Sequence, residues 1–199
     1  MVAQISFILP TLNAQPHLPT CLTALMEGLH AGLIRDLVIS DGGSCDATLA
    51  MADAAGAEIV SGAPGWQAQV RNGIKMARGR WLWIMRPDCI LQPGWSETAA
   101  AYLRSESTPA FCPVHLRAPG LRPMIWASAR NLSAHVSGAP SRDHPLLLRA
   151  SDVGAKAICP KGAQVMPVRA SLSSFRLSPE AASTPSGASV PELTISRKA

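Results

Sequence analysis

Residues 5–44 read ISFILPTLNAQPHLPTCLTALMEGLHAGLIRDLVISDGGS, and the order of apolar runs in this stretch decides the fold. Residues 5–9 form a short apolar run closed by Pro10, and residues 37–40 form another, closed by the Asp41-Gly-Gly-Ser44 turn. Short continuous runs without polar alternation suit strands that are buried on both faces, as in parallel sheets. Between them Leu18, Leu22, Leu25 and Leu29 recur at steps of four, three and four, which predicts an amphipathic helix lying against that sheet. Strand, helix and strand in this order make one βαβ unit.

The pattern then repeats. Residues 48–55 are Ala-rich and helical, with Ser44 or Asp46 placed to cap their start, and residues 58–60 follow as a third strand. Residues 67–77 read as a helix and residues 81–85 as a fourth, fully buried strand. This alternation predicts an α/β sandwich with helices on both faces of a mostly parallel sheet. Ligands of such sheets bind at the carboxyl ends of the strands. The polar residues fall there: Thr11 and Asn13 after the first strand, Asp41 to Ser44 after the second, Arg86 and Asp88 after the fourth.

Beyond Trp95 the pattern loosens. A helix is expected over residues 124–136, with Leu121, Ile125, Leu132 and Val136 on one side and Arg122, Trp126 and Arg130 on another. An ordinary amphipathic helix would turn its apolar side to the sheet, while a Trp among arginines also suits a membrane interface. Residues 146–148 and 164–168 read as edge strands. From residue 178 to 199 the chain is Ser-, Pro-, Ala- and Thr-rich without an aromatic residue, the composition of a disordered tail.

Composition narrows the function classes. At 47% hydrophobic and 16% charged, the 199 residues suit a globular domain and exclude an intrinsically disordered chain. No apolar run approaches the roughly 18 residues of a membrane helix. The first Lys or Arg is Arg35, so the start lacks the basic residues of a secretory signal, and a cytoplasmic location is expected. Five widely spaced cysteines without metal-ligand spacing read as reduced thiols. Residues 1–100 carry 6 Lys+Arg against 8 Asp+Glu and residues 101–199 carry 12 against 5, so the second half is strongly basic. Such a half could attract an anionic membrane surface or a phosphate-bearing ligand. Nucleic acid is not expected, because the basic residues are scattered and one Tyr and three Phe make no stacking platform.

The motifs, taken in order, resemble the family 2 glycosyltransferases of the GT-A fold. Ile5-Ser-Phe-Ile-Leu-Pro-Thr-Leu-Asn13 looks like that family's opening strand and turn, and Ser40-Asp-Gly-Gly-Ser-Cys-Asp-Ala-Thr48 like its nucleotide loop. Gly65-Trp-Gln-Ala-Gln69 through Gly73, Ala77-Arg-Gly-Arg-Trp81, Asp88 and Leu91-Gln-Pro-Gly-Trp95 follow in the family's order. The resemblance implies a nucleotide-sugar donor, with Asp41 on the base or ribose and with Pro10, Asn13, Gly42, Gly43, Gln69 and Arg71 lining its pocket. Residues 1–95 then form a nucleotide-binding half and residues 96–177 a shortened acceptor half of one domain.

Asp88 matches the last aspartate of the family's Asp-x-Asp signature, which implies Mg²⁺ or Mn²⁺ against the donor pyrophosphate. The first position of that triplet is Arg86, which could pair with phosphate in a bidentate fork. Gly138-Ala-Pro-Ser-Arg-Asp-His144 resembles the Gly-Asp-Gln-Gly acceptor segment of a bacterial subgroup. The residues that would hold the family's Glu-Asp base pair are missing, which leaves Asp143 or His144 as general base for an inverting transfer. Two functions follow: a glycosyltransferase, with a lipid-linked or polysaccharide acceptor implied by the family, or an inactive homologue that binds a sugar nucleotide as an assembly or regulatory subunit.

Overall fold

The computed structural model of the protein describes residues 4–105, 108–117, 120–153 and 163–172, and the backbone of residues 195–196. The first half runs β1 (Ile5–Thr11), α1 (Leu18–His30), β2 (Ile34–Asp41), α2 (Thr48–Ala54), β3 (Glu58–Ser61), α3 (Trp66–Met76), β4 (Trp81–Ile84), β5 (Cys89–Leu91) and α4 (Trp95–Ser105). There follow β6 (Ala110–Phe111), β7 (Val114–Leu116), α5 (Leu121–Ser137), β8 (Leu146–Arg149), β9 (Gln164–Val165), β10 (Ala170–Leu172) and β11 (Ile195–Ser196).

The main sheet has the order β11-β3-β2-β1-β4-β8-β6-β9, and β5-β10-β7 form a smaller one. Strands β3, β2, β1 and β4 are parallel, as the alternation with helices requires. Every residue of β1 and β4 is buried, which explains their apolar composition; the two polar residues of β1, Ser6 and Thr11, are hydrogen-bonded through their hydroxyls. The period of two divides their side chains between two cores. Ile5, Phe7, Leu9, Trp81 and Trp83 pack with Leu18 and Leu25 of α1 and with Trp95 and Ala99 of α4. Ile8, Leu82 and Ile84 pack with Val70 of α3 and Ala134 of α5 on the opposite face. Because β2 and β4 flank β1 on its two sides, the chain passes to opposite directions of the sheet from β1, which makes the carboxyl ends of these strands the switch point where such sheets bind ligands.

Four helical and strand expectations change. The buried face of α1 is Leu18, Cys21, Leu25 and Gly28, while Leu29 is 53% exposed, because the indole of Trp95 lies on the helix at Gly28 and rotates the contact face toward it. Strand β8 is interior, lying antiparallel between β4 and β6, which suits its three consecutive buried leucines. Of residues 164–168 only β9 is strand, and it is the edge.

The fourth change concerns α5. Its apolar residues Leu121, Ile125, Leu132 and Val136 face outward, 62–78% exposed, together with Met124. Pro123, Ala127 and Ala134 are its buried residues, with Asn131 and Arg130 partly buried among them. The reason is polar: Asn131 donates from Nδ2 to the Val114 carbonyl and accepts the Val114 N–H at Oδ1, both at 2.9 Å. Arg130 meets a buried carboxylate described below. Satisfying these groups turns the small and polar side of the helix inward.

Among the described residues no helix is long and apolar enough to cross a membrane. Cys21, Cys89 and Cys112 are free and buried, and burial pushes the Cys21 thiol up to about 12 and the other two well above their ordinary range. They act as small hydrophobes. Cys45 is free and exposed, and Cys159 lies outside the described residues. So does most of the stretch read as a tail, except Ile195–Ser196, whose backbone pairs antiparallel with β3.

Candidate functional site

The loop after β2 is organised by one carboxylate. Asp41, 1% exposed, accepts at Oδ1 from the hydroxyls of Thr11 (2.9 Å) and Ser44 (2.5 Å). At Oδ2 it accepts the backbone N–H groups of Gly43 (2.8 Å) and Ser44 (2.7 Å). The turn places Gly43 at φ +97°, which favours glycine, and a Cβ on Gly42 would come 3.0 Å from Gln69 Nε2 and 3.1 Å from Pro64 Cα. The Asp41 carboxylate thus stiffens the loop, and its hydrogen-bond partners lie within the loop and β1.

Neighbouring residues brace the same loop. Asn13, at φ +49°, donates its N–H to Ser44 Oγ (2.8 Å) and accepts from the Cys45 N–H (2.9 Å). Gln69 reaches from α3 to donate from Nε2 to the carbonyls of Thr11 (2.6 Å) and Ser40 (3.0 Å), stapling the ends of β1 and β2. The N-cap position of α2 is Ala47, which has no side-chain cap; Asp46 just before it accepts the Thr48 N–H at 3.0 Å and the Gln15 N–H at 3.1 Å, while Ser44 bonds Asp41 and Asn13. Pro10 is buried within β1 beside Ser40. Arg71 stands apart on the exposed side of α3, donating to Gln67 Oε1 at 3.2 Å.

A second cluster forms at the end of β4. Arg86, Asp88 and Asp143 are each 6–7% exposed. Arg86 donates from Nε to Asp88 Oδ1 (2.8 Å), from one terminal nitrogen to Asp88 Oδ2, and from the other to Asp143 Oδ1 (2.5 Å). Arg130 donates to Asp143 Oδ2 (2.5 Å), and its guanidinium lies 5.5 Å from the centre of the Trp126 ring. Burial acts to lower the Arg86 pKa, but its bonds and charge pairing with Asp88 and then Asp143 hold it above its ordinary value. Burial acts to raise the Asp143 carboxyl, yet the hydrogen bond from Arg130 and the charges of Arg86, Arg130 and Arg142 hold it below the usual range. Such a carboxylate is a weak base. Arg86 thus forms a bidentate fork on Asp88.

His144 is 3% exposed and stacks edge-on against Phe111. Its Nε2 lies 3.2 Å from Asn131 Oδ1, an atom that also accepts from the Val114 backbone and so must accept here. The neutral tautomer therefore carries its proton on Nε2, and Nδ1 accepts from Ser141 Oγ at 3.1 Å. Burial first, and then the charge of Arg130, hold the imidazole below its ordinary value, against the opposing Asp143 charge and Ser141 bond. The unfolded chain binds a proton at His144 more readily than the folded one, so this residue adds stability as pH rises toward about 6.5 and loses it below. Urea unfolding between pH 5 and 7 should show that slope, and His144→Gln should flatten it; an unchanged slope would refute the neutral buried state.

A divalent cation fits these residues poorly. Among the described residues no three His, Cys, Asp or Glu side chains converge on one point. Both oxygens of Asp88 accept from Arg86, and the guanidinium stands between Asp88 and Asp143. Hard cations require several free oxygen ligands.

The structure thus gathers Pro10, Asn13, Asp41, Gly42, Gly43 and Gln69 around one loop, and Arg86, Asp88, Asp143 and His144 in one buried cluster. Strand β1 runs between the strands that carry them. Sequence reasoning missed Arg130, Asn131 and Ser141 as members; only the i,i+4 relation of Trp126 and Arg130 signalled the first.

The profile of the family described as glycosyl transferase family 2 matches residues 6–150. Glucosyl-3-phosphoglycerate synthase from Mycobacterium tuberculosis, solved with Mn²⁺, UDP and glucosyl-3-phosphoglycerate, superposes with a TM-score of 0.57 at 19% identity. That match covers 86% of this chain and 70% of the synthase. A second mycobacterial protein superposes with a TM-score of 0.51 at 18% identity, over 86% of this chain and 65% of its own. At these identities the likeness is one of fold. Comparison with curated proteins returns no match.

Proposed function

The chain belongs to glycosyl transferase family 2, and on that premise we propose that it binds a nucleotide-activated sugar at the carboxyl ends of β2, β1 and β4 and transfers its glycosyl group. The observation that carries this is the braced Asp41–Ser44 loop, set beside Asn13 and across β1 from the Arg86–Asp88 corner. Gly43, with open space where a side chain would stand, lets a flat base approach the backbone, Gly42 admits Gln69 and Pro64 behind it, and Asp41 holds the loop in the shape that receives the base. In the transfer, an acceptor hydroxyl oxygen bonds to the anomeric carbon as the bond to the nucleoside diphosphate breaks; the diphosphate leaves with the bonding electron pair and the hydroxyl proton passes to water.

Donor binding is tested by thermal unfolding with UDP-, GDP- and dTDP-sugars. One of them should raise Tm by roughly 5–10 °C at about one hundred times Kd. Asp41→Ala should abolish that rise, each variant being compared with its own ligand-free Tm so that intrinsic destabilisation cancels. A rise retained in Asp41→Ala would remove the loop from the donor site.

One observation favours the second reading, a binding or assembly subunit without turnover. Both oxygens of Asp143 are held by arginines, and both nitrogens of His144 are engaged. Release of nucleoside diphosphate by the purified protein would exclude it.

The outward face of α5 suits contact with an anionic lipid surface or a lipid-linked acceptor. Leu121, Met124, Ile125, Leu132 and Val136 are exposed beside Arg122 and His135, in the half with 12 Lys+Arg against 5 Asp+Glu. Ile125→Ser with Leu132→Ser should change unfolding free energy by less than about 0.5 kcal/mol per site, since neither side chain is buried. The same pair should abolish co-sedimentation with phosphatidylserine vesicles at low salt. Wild-type protein that stays in the supernatant would remove the membrane contact.

A further inference from the structure

The corner at the end of β4 does the electrostatic work of a bound cation with a side chain. Asp88 is contributed by the segment after β4, Asp143 by the loop before β8, and both carboxylates are buried on one guanidinium. We propose that Arg86 takes the place of a divalent cation between these two carboxylates, so that the protein engages its nucleotide-sugar donor without a metal. This rests on the donor-binding reading above.

Charge and geometry lead to it together. Arg86 and Arg130 set two positive charges against the two negative charges of Asp88 and Asp143. A divalent ion added beside them would face the guanidinium at close range in a site of low polarity, where repulsion is strong. It would also find no free oxygen on Asp88. Displacing Arg86 would leave a buried guanidinium unpaired, which is as unfavourable as leaving a buried carboxylate so. The pairing is chelating in form: Nε and one terminal nitrogen grip Asp88, and the opposite terminal nitrogen grips Asp143. Of the five N–H donors of the guanidinium three are committed to these bonds, and two remain as donors for a diphosphate oxygen. The bridge also joins the two halves of the domain, β4 in the first and the α5–β8 connection in the second. In this arrangement Arg86 is a positioning residue for Asp88 and Asp143 and a charge partner for the donor.

Two measurements decide it. Calorimetric titration with UDP-, GDP- and dTDP-sugars in EDTA and in MnCl₂ should give dissociation constants within about twofold of each other, a difference of a few tenths of a kcal/mol. Binding that appears only with Mn²⁺ would overturn the inference while leaving the donor reading intact. Absence of binding in both buffers would sink the donor reading, and the second measurement would still decide the role of Arg86. In that measurement, Mn²⁺ binding is followed by the loss of its free-ion paramagnetic resonance signal, together with Tm. Wild-type protein should take up no stoichiometric Mn²⁺. Arg86→Met, with Asp88 and Asp143 left facing the vacated space, should take up one ion and gain several degrees in Tm. Should that variant unfold in EDTA, its refolding in MnCl₂ gives the same reading. Stoichiometric uptake by the wild type, or a variant that Mn²⁺ neither binds nor rescues, would overturn the proposal.

Discussion

In metal-free buffer Arg86→Met should lower the unfolding free energy by about 3–5 kcal/mol, the range for breaking a buried ion pair by removing one partner. For a domain of this size that is a fall in Tm of roughly 10 °C or more. The cost arises because Asp88 loses the partner of both its oxygens while remaining 6% exposed, and Asp143 keeps only Arg130. A carboxylate in that position must stay charged without a counterion or take up a proton, and either outcome disfavours the folded chain. Arg130→Met should cost less, near 1 kcal/mol, because its side chain is 42% exposed and Asp143 keeps Arg86. Adding Asp88→Asn to Arg86→Met should recover part of the loss, since the pair is directly coupled. Urea unfolding of the four proteins tests this, and a loss below about 1 kcal/mol for Arg86→Met would show that the cluster is solvated and carries little of the fold.

Trp95→Ala is expected to cost about 3–5 kcal/mol as well, by a different mechanism. Trp95 is 2% exposed, with its ring edge-on to Phe7 (5.5 Å between centroids, 79°) and to Trp83 (5.3 Å, 84°). Phe7 and Trp83 stack on each other at 5.2 Å, so the indole closes a three-ring cluster between β1, β4 and α4. Its Nε1 donates to the Ala24 carbonyl at 2.9 Å, and its six-membered ring lies on the backbone of α1 at Gly28. Truncation removes these contacts and leaves a cavity that β1 and β4, buried along their full length, cannot collapse to fill. Gly28 supplies a sign test. A Cβ there would fall 2.2 Å from Trp95 Cη2, so Gly28→Ala destabilises the wild type. In the Trp95→Ala background the clash is gone, and the same substitution should be neutral or stabilising by up to about 1 kcal/mol through helix propensity. Destabilisation of equal size in both backgrounds would show that the ring does not set the identity of residue 28.

Much of the first half is legible in the sequence itself. The runs at 5–9, broken only by Ser6, and at 81–85 are apolar because β1 and β4 are covered on both faces. Positions of polar residues at the strand ends follow from the same logic, and Asn13, Asp41, Gln69 and Asp88 stand at the switch point. What those side chains do there is less legible. Asp41 reads in sequence as a donor-binding carboxylate or a turn residue, and the structure adds that it accepts three hydrogen bonds from the loop and one from Thr11 of β1. The stripe on α5 is misleading, because periodicity identifies two faces of a helix and burial alone tells which of them turns inward.

The sequence by itself determined the order of strands and helices through β4, the parallel core and the family, since these depend on local periods and on short motifs in register. Tertiary structure alone decided the chemistry of the corner after β4. Arg86 and Asp143 are 57 residues apart, and nothing in either local sequence says that one guanidinium will bridge that carboxylate and Asp88. The inward turn of Arg130 and Asn131 and the Nε2 proton of His144 were likewise decided there. Hydrogen-bond partners of buried polar groups are chosen by which groups the packed sheet brings within about 3 Å after the apolar periods have been satisfied, and that choice leaves no local trace.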